Sequence, residues 1–533
     1  MTRPPARAWH PLVLAPYPVL VAYARNADSI YFVETLGPLV VVLAATLVAW
    51  VLLRRATGDP ARAALLTTAG LLATFAFERN VHAAEVRGWG GTPHGREWLV
   101  LVAEVAGLAG WALLVRLRAF PVRALTTAAN AGSLALVALL VPGLARAIRA
   151  EATTPAARPA PATASTSVAP PPAAGGRPDI YFLVLDAFGR SDILARLFDL
   201  DDGDFIEGMR RRGFVVAGRS TANYCQTALS ISATLDGRYH DALRGSDSKS
   251  RLPLRDLMAQ TEFGAILRER GYRFVAFASG FGLTDGFPAD RRLAPPGDLP
   301  EFAALVLDMT PTWVVLGQGA GAAAHRRHRA RIEYLFDHLA DVADDPAPTF
   351  CLAHVVAPHP PFVFGRDGRD VSAASAAYRL TDGRLWSDMD GHGGPDDYAR
   401  RYRDQAGYIA DRVERAVDQI LAKSPTPPVI IIQGDHGPGS HFDSDSAVPN
   451  DLDERMGILN LCLVPAAAAR QVAPTMTPIN TFRVVGDAVF GTRRGLVPDR
   501  NYYSSYQAPY RLTDVTAEVA RTLLAPASAG EGR

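Results

Sequence analysis

Three side chains have the types and spacing that suit metal chemistry: Asp186, Asp435 and His436. Asp186 ends the apolar run Ile180–Leu185, which is bounded by Pro178 before it and Gly189 after it. Asp435 and His436 follow a second run, Val429–Ile432, and lead into the Gly-rich turn Gly437-Pro438-Gly439. Short apolar runs without a helical period read as strands buried on both faces, as in the middle of a parallel sheet. Such sheets bind ligands beyond the carboxyl ends of their strands. Two strands that carry two carboxylates and an imidazole to one edge make an O/O/N set suited to one divalent cation, Mn, Mg or Zn. Alone, Asp186 reads equally well as the cap of a helix beginning near Gly189. The second strand favours the site.

Between the two strands lies Ser220-Thr-Ala-Asn223-Tyr-Cys-Gln-Thr227-Ala-Leu-Ser230-Ile-Ser232. Leu229, Ile231 and Leu235 predict a helix starting near Thr227. A hydroxyl there sits among unpaired backbone N–H groups at the positive end of the helix, a ready anion site, and metal coordination would lower its pKa. In isolation Thr227 reads as an N-cap. Beside Asp186, Asp435 and His436 it reads as a nucleophile. Asn223 either donates to a phosphoryl oxygen or forms the turn. His359 lies on a proline-held loop after the predicted strand Thr349–His354. Ser440 and His441 follow the Asp-His turn as supporting residues, and Arg190 balances a phosphate or is solvated. Asp388–Asp397 reads as a surface loop.

The elements that must position these residues alternate from Pro178 onward. Helical patterns cover Asp192–Arg212, Gln226–Leu235, Thr261–Arg270, Arg326–Ala343 and Tyr398–Lys423, with a closing helix at Val515–Leu523. Strands are expected at Phe214–Val216, Tyr272–Ser279 and Thr349–His354, besides the two above. This alternation predicts an α/β fold, a sandwich with a mainly parallel central sheet and helices on both faces, over residues 178–525.

Residues 1–150 differ in kind. Apolar runs near Leu12–Ala24, Leu36–Leu53, Ala63–Phe77, Leu99–Val115 and Ala124–Val141 predict a transmembrane bundle of about five helices. Arg3, Arg7, Arg54, Arg55, Arg62, Arg116, Arg118 and Arg123 then share one side, which positive-inside makes the cytoplasm. The N-terminus is thus expected inside and the α/β domain outside. Residues 151–177, rich in Ala and Pro, read as a semi-extended tether. Lys plus Arg number 55 against 54 Asp plus Glu, so bulk charge gives no reason to expect nucleic acid. The three cysteines, Cys225, Cys351 and Cys462, have no zinc-ligand spacing and no disulfide framework, and read as buried small hydrophobes.

With these residues in view, the chain resembles the alkaline phosphatase and sulfatase superfamily. Within it the chain looks most like the membrane-anchored branch of lipoteichoic acid synthases and lipid A phosphoethanolamine transferases. Thr227-Ala-Leu-Ser230 matches the branch's nucleophile setting, and Asp435-His436-Gly437 its late metal motif. Asp186 stands where many of these transferases carry Glu. The Cys-based sulfatase conversion motif is missing, since Thr227 and Leu229 follow Cys225 where Pro and Arg are required. The resemblance implies a bacterial-type inner-membrane protein with metal ligands Asp186, Thr227, Asp435 and His436. It also implies a substrate contact from His359, at the leaving group; Asn223 and His441 are expected substrate contacts from their own positions in the sequence. The expected reaction moves a phospho-headgroup from a phospholipid donor to a glycan, lipid or protein acceptor through a phospho-threonine. A hydrolase of the same superfamily and an inactive membrane scaffold are the alternatives.

Overall fold

Ile180–Leu185 (β1) carries no charged side chain, and all six residues are buried. A strand with no face for water must sit inside a sheet, and β1 does. In the computed structural model, which describes residues 7–153, 177–317, 320–371, 380, 382–387 and 393–524, it is the middle strand of seven. The others are β2 (Val215–Val216), β3 (Arg273–Phe277), β4 (Arg291–Leu293), β5 (Thr349–Val355), β6 (Val429–Gln433) and β7 (Asn460–Leu463). Their order is β2-β7-β6-β1-β5-β3-β4. The run from β6 to β4 is parallel, and β7 and β2 each add an antiparallel pairing at one edge.

Alternation along β1 builds two cores. Tyr181, Leu183 and Leu185 face one cluster, with Tyr402, Ile409 and Val413 of the helix Gly394–Lys423. Ile180, Phe182 and Val184 face the other, with Leu229 and Ile231 of the helix Thr227–Asp236 and with Phe263 and Phe482. Helices therefore cover both faces, as an α/β sandwich requires.

Several local expectations change. The helix expected over Asp192–Arg212 is two, Ser191–Phe198 and Gly203–Arg211. Asp199 between them takes the left-handed conformation that ends a helix. Asp396 and Asp397, expected in a loop, lie in the first turn of the helix Gly394–Lys423, where acidic residues suit the helix dipole; 388–392 lie outside the described residues. The closing helix is short, Thr516–Val519 followed by the wider turn Ala520–Leu524. All three cysteines are free and buried.

The chain divides into two compact units. One comprises Met1–Thr154, Leu299–Ala324 and Ala374–Ala377, and the other holds the sheet. Among the described residues of the first unit, four helices are long and apolar enough to cross a membrane: Phe32–Thr57, Pro60–Val86, Pro93–Arg116 and Val122–Glu151. The remaining expected run, Leu12–Ala24, is divided into His10–Leu14 and Tyr17–Asn26, each too short to span alone. Together they run from His10, whose Nδ1 is 2.6 Å from Thr68 Oγ1, to Tyr23, whose OH donates to Glu151 Oε2 at 3.0 Å near the far end of the last span. Pro16 and Pro18, which lack the N–H a continuous helix needs, stand at the break. Most of the expected tether, 154–176, lies outside the described residues. Leu299–Ala324, expected within the α/β domain, instead counts with the membrane helices.

Candidate metal centre and nucleophile

The β1–β6 register pairs Val184 with Gln433. Continued two residues beyond the strands, it sets Asp186 against Asp435. The backbone there is unusual. Ala187 has φ of 64°, a left-handed value that costs a non-glycine residue energy. Its N–H donates to Asp435 Oδ1 at 3.1 Å. Gly437 is needed because a Cβ there would stand 2.2 Å from the Glu454 carbonyl oxygen. The turn after Asp435-His436 therefore packs backbone against backbone.

Possible ligand atoms of Asp186, Asp435 and His436 all lie within 4.8 Å of one another. His436 Nε2 is 3.6 Å from Asp186 Oδ1 and 3.4 Å from Asp435 Oδ2. Both of those carboxylate oxygens are buried without a hydrogen-bond partner. Buried carboxylate oxygens are normally satisfied, so two orphans aimed at one imidazole nitrogen fit a cation. His436 suits it too. Its Nδ1 is 2.9 Å from the Gly437 carbonyl, which holds the proton on that side and leaves Nε2 bare. Burial, and then the charge of Arg455, push its pKa down, so the ring is neutral near pH 7. Burial pushes the Asp186 carboxyl up, but the imidazoles of His359, His354 and His436 outweigh it and hold it below the usual carboxylate range.

Thr227 is the first residue of its helix, and Gln226 occupies the cap position without a capping side-chain bond. The Thr227 hydroxyl is thus spared from capping and lies 3.0 Å from His436 Nε2. Ser230, one turn on, donates to the Asp435 carbonyl at 2.6 Å and ties this helix to the metal turn.

The remaining expected residues divide. His359 N–H donates to the Asp186 carbonyl at 3.0 Å. Its ring lies 6.4 Å from that of His436, with Nε2 3.9 Å from Asp382 Oδ2, at the edge of the same cluster. Asn223 is buried and its amide is consumed by the protein. Its Nδ2 donates to Thr477 Oγ1 and to the Arg500 carbonyl at 2.9 Å each, and to Tyr239 at 3.2 Å; its Oδ1 accepts Ile479 N–H at 2.8 Å. All of these partners are distant in sequence, so the amide ties separate segments together rather than closing a local turn. His441 is largely exposed and bonds Ser440 Oγ at 3.0 Å. It groups with Asp451 and Glu454 rather than with Asp186. Arg190 is buried and pairs with Asp192 and the Leu523 carbonyl.

Three residues escaped the sequence reading. His354 sits opposite Val184 on β5 and places Nε2 3.2 Å from Asp186 Oδ2, with Nδ1 2.9 Å from Thr284 Oγ1. Arg455 is buried, with Nη2 3.1 Å from His436 Nε2 and Nε donating to the Cys225 carbonyl at 3.0 Å. It also pairs with Asp382, and Tyr398 OH donates to the other oxygen of that carboxylate at 2.7 Å. Only His354 left a signal, a polar residue ending a predicted strand.

No protein family and no curated protein matches the chain. Among solved structures it is similar to the integral membrane lipooligosaccharide phosphoethanolamine transferase A (EptA) from Neisseria meningitidis. The identity is 12% and the TM-score 0.40, over 92% of this chain and 98% of that one. The C-terminal periplasmic domain of EcEptC from Escherichia coli, in complex with Zn, gives 9% and 0.41 over 65% and 94%. A putative sulfatase from Bacteroides thetaiotaomicron gives 15% and 0.37 over 63% and 75%. Likeness this distant does not assign a substrate.

Proposed function

We propose that the α/β domain is a metal-dependent phosphoryl transferase working at the outer face of the membrane. It would move a phospho-headgroup from a phospholipid donor to a glycan, lipid or protein acceptor. The observation that carries this reading is the pair of orphaned carboxylate oxygens facing His436 beside the Thr227 hydroxyl. Asp186, Asp435 and His436, with Thr227, would hold one divalent cation, Mn, Mg or Zn. Such a cation supplies positive charge that acidifies the hydroxyl and offsets charge on phosphoryl oxygens.

Thr227 Oγ1 gives up its proton to water and attacks phosphorus, forming a threonine–phosphate ester as the bond to the leaving oxygen breaks. The free N–H groups of the helix's first turn face the phosphoryl oxygens. His359 stands at the edge of the cluster, where Nε2 would give a proton to the leaving oxygen. An acceptor hydroxyl then attacks the ester and frees Thr227. Asp382 holds the Arg455 guanidinium beside His436, where a cation suits an anionic substrate.

The Arg-rich turns, Arg54 to Arg62 and Arg116 to Arg123, share a side, which positive-inside makes the cytoplasm. The Arg7 carbonyl, which accepts from Asn130 Nδ2 at 2.8 Å, and His10, against Thr68, lie towards that side. This supports an N-terminus in the cytoplasm and an α/β domain outside.

The test uses the full chain in detergent with a chromogenic phosphodiester, phosphomonoester and sulfate ester, with and without chelator. Expected is metal-dependent diester turnover that Thr227→Ala abolishes, with phosphate on Thr227 by mass spectrometry after acid quench. Diester turnover surviving both Thr227→Ala and chelation sinks the proposal. Turnover with water alone, undiminished by any acceptor alcohol, favours the hydrolase.

A further inference from the structure

The chain leaves the sheet unit after Asp298, joins the membrane unit for Leu299–Ala324, and returns at His325. Two short helices, Glu301–Asp308 and Thr312–Val315, form this excursion, and Trp313 Nε1 donates to Asp308 Oδ1 at 2.6 Å to join them. Phe302 and Val306 are buried in one cluster with Val19, Tyr23, Leu39 and Leu144. Val314, with no exposed surface, is buried in another with Phe77, Ala84, Val100 and Leu101.

The depth of these contacts follows from helix rise. Val100 lies roughly 22 Å along its helix from Val115 at the Arg-rich end, and Phe77 a similar distance from Arg62. Against a hydrocarbon layer of about 30 Å, both stand roughly 8 Å inside the outer boundary. Ala84 and Leu144, some ten ångströms further along, stand near that boundary by the same rise. The next two residues after Val314 are apolar and open: Val315 is 65% exposed and Leu316 60%. The spanning helices carry open apolar side chains at this level too, including Val40, Val41 and Val102. Such a belt is covered by lipid.

We propose that residues 299–317 form a wedge seated in the outer leaflet, with Val315 and Leu316 among acyl chains and Trp313 at the interface, where its amphipathic ring is favoured. The domain bearing Thr227 is then attached to the bilayer through this wedge as well as through the chain that follows the last span. The proposal rests on the Arg-rich turns facing the cytoplasm and not on the catalytic reading, so the two fail separately.

The test uses the full chain in nanodiscs of phosphatidylethanolamine and phosphatidylglycerol, with a nitroxide on Val315→Cys or on Leu316→Cys. The native Cys225, Cys351 and Cys462 are buried and stay unlabelled under native conditions. Val41→Cys on the first span is the lipid reference and Leu496→Cys, an exposed residue of the sheet unit, the aqueous one. Expected at both wedge positions is an oxygen-to-nickel-chelate accessibility ratio near that of Val41 and several-fold above that of Leu496. Ratios matching Leu496 at both positions overturn the wedge.

Discussion

Replacing Arg455 by Met should destabilise the protein because of what it leaves behind. Asp382 is nearly enclosed, its side chain 10% exposed. Burial pushes its carboxyl up, but Arg455, with His359 and His436, draws it down to about 2 from the ordinary 3.8. At about 1.4 kcal/mol per tenfold change in proton affinity, this is about 2.5 kcal/mol in favour of the ionised, folded form. Because the folded pKa is the lower one, that contribution is present above pH 4 and fades as pH falls from 4 towards 2. Met also leaves the Cys225 and Gly437 carbonyls without the donors they now have at 3.0 and 3.3 Å. Removing one partner of a buried pair typically costs about 3–5 kcal/mol. Urea unfolding of the full chain at pH 7, followed by tryptophan fluorescence, should therefore show a loss in that range. Arg455→Met/Asp382→Asn, which removes both charges, should regain about 2 kcal/mol of it. The gap between wild type and Arg455→Met should also narrow below pH 4. A double variant no more stable than Arg455→Met alone, together with a gap independent of pH, would refute the claim that Asp382 needs Arg455.

Removing metal should lower stability as well as activity: at a hundredfold excess over its dissociation constant a bound ion adds about 2.7 kcal/mol, a gain that chelator or Asp435→Ala should erase in the same urea assay. His354→Phe should weaken metal binding by about 10–100-fold, because the imidazole 3.2 Å from Asp186 Oδ2 orients that carboxylate; isothermal titration with Zn or Mn reads this directly, and wild-type affinity would remove His354 from the site. Asn223→Ala should cost about 2–3 kcal/mol, since the Ile479 N–H and Thr477 Oγ1 lose a buried partner. Its KM for a diester should be unchanged, and a raised KM with unchanged stability would return Asn223 to the substrate.

What the sequence reveals of this site tracks how far apart the interacting residues are. Asp186, Asp435 and His436 end apolar runs, so a local pattern places each at a strand terminus, and strand register then aligns them. Thr227 is legible for the same reason, as the first residue of a helix whose apolar period begins beside it. The residues missed are set by pairings that no local pattern encodes. Arg455 finds Asp382 across 73 positions of sequence, and neither stands in a periodic segment. His354 was visible as the end of a strand, but its role depends on β5 lying beside β1, a choice of neighbour that the strand itself does not state. The same logic explains the membrane side. Hydropathy marks long apolar segments well, but it does not show that Pro16 and Pro18 divide the run Leu12–Ala24 into two helices. It also passes over Glu301–Asp308, whose eight residues carry charge at both ends and only gain meaning when Phe302 and Val306 meet Val19 and Tyr23. A site built on strand ends can therefore be read early, while the residues that hold its charges in place emerge only from the fold.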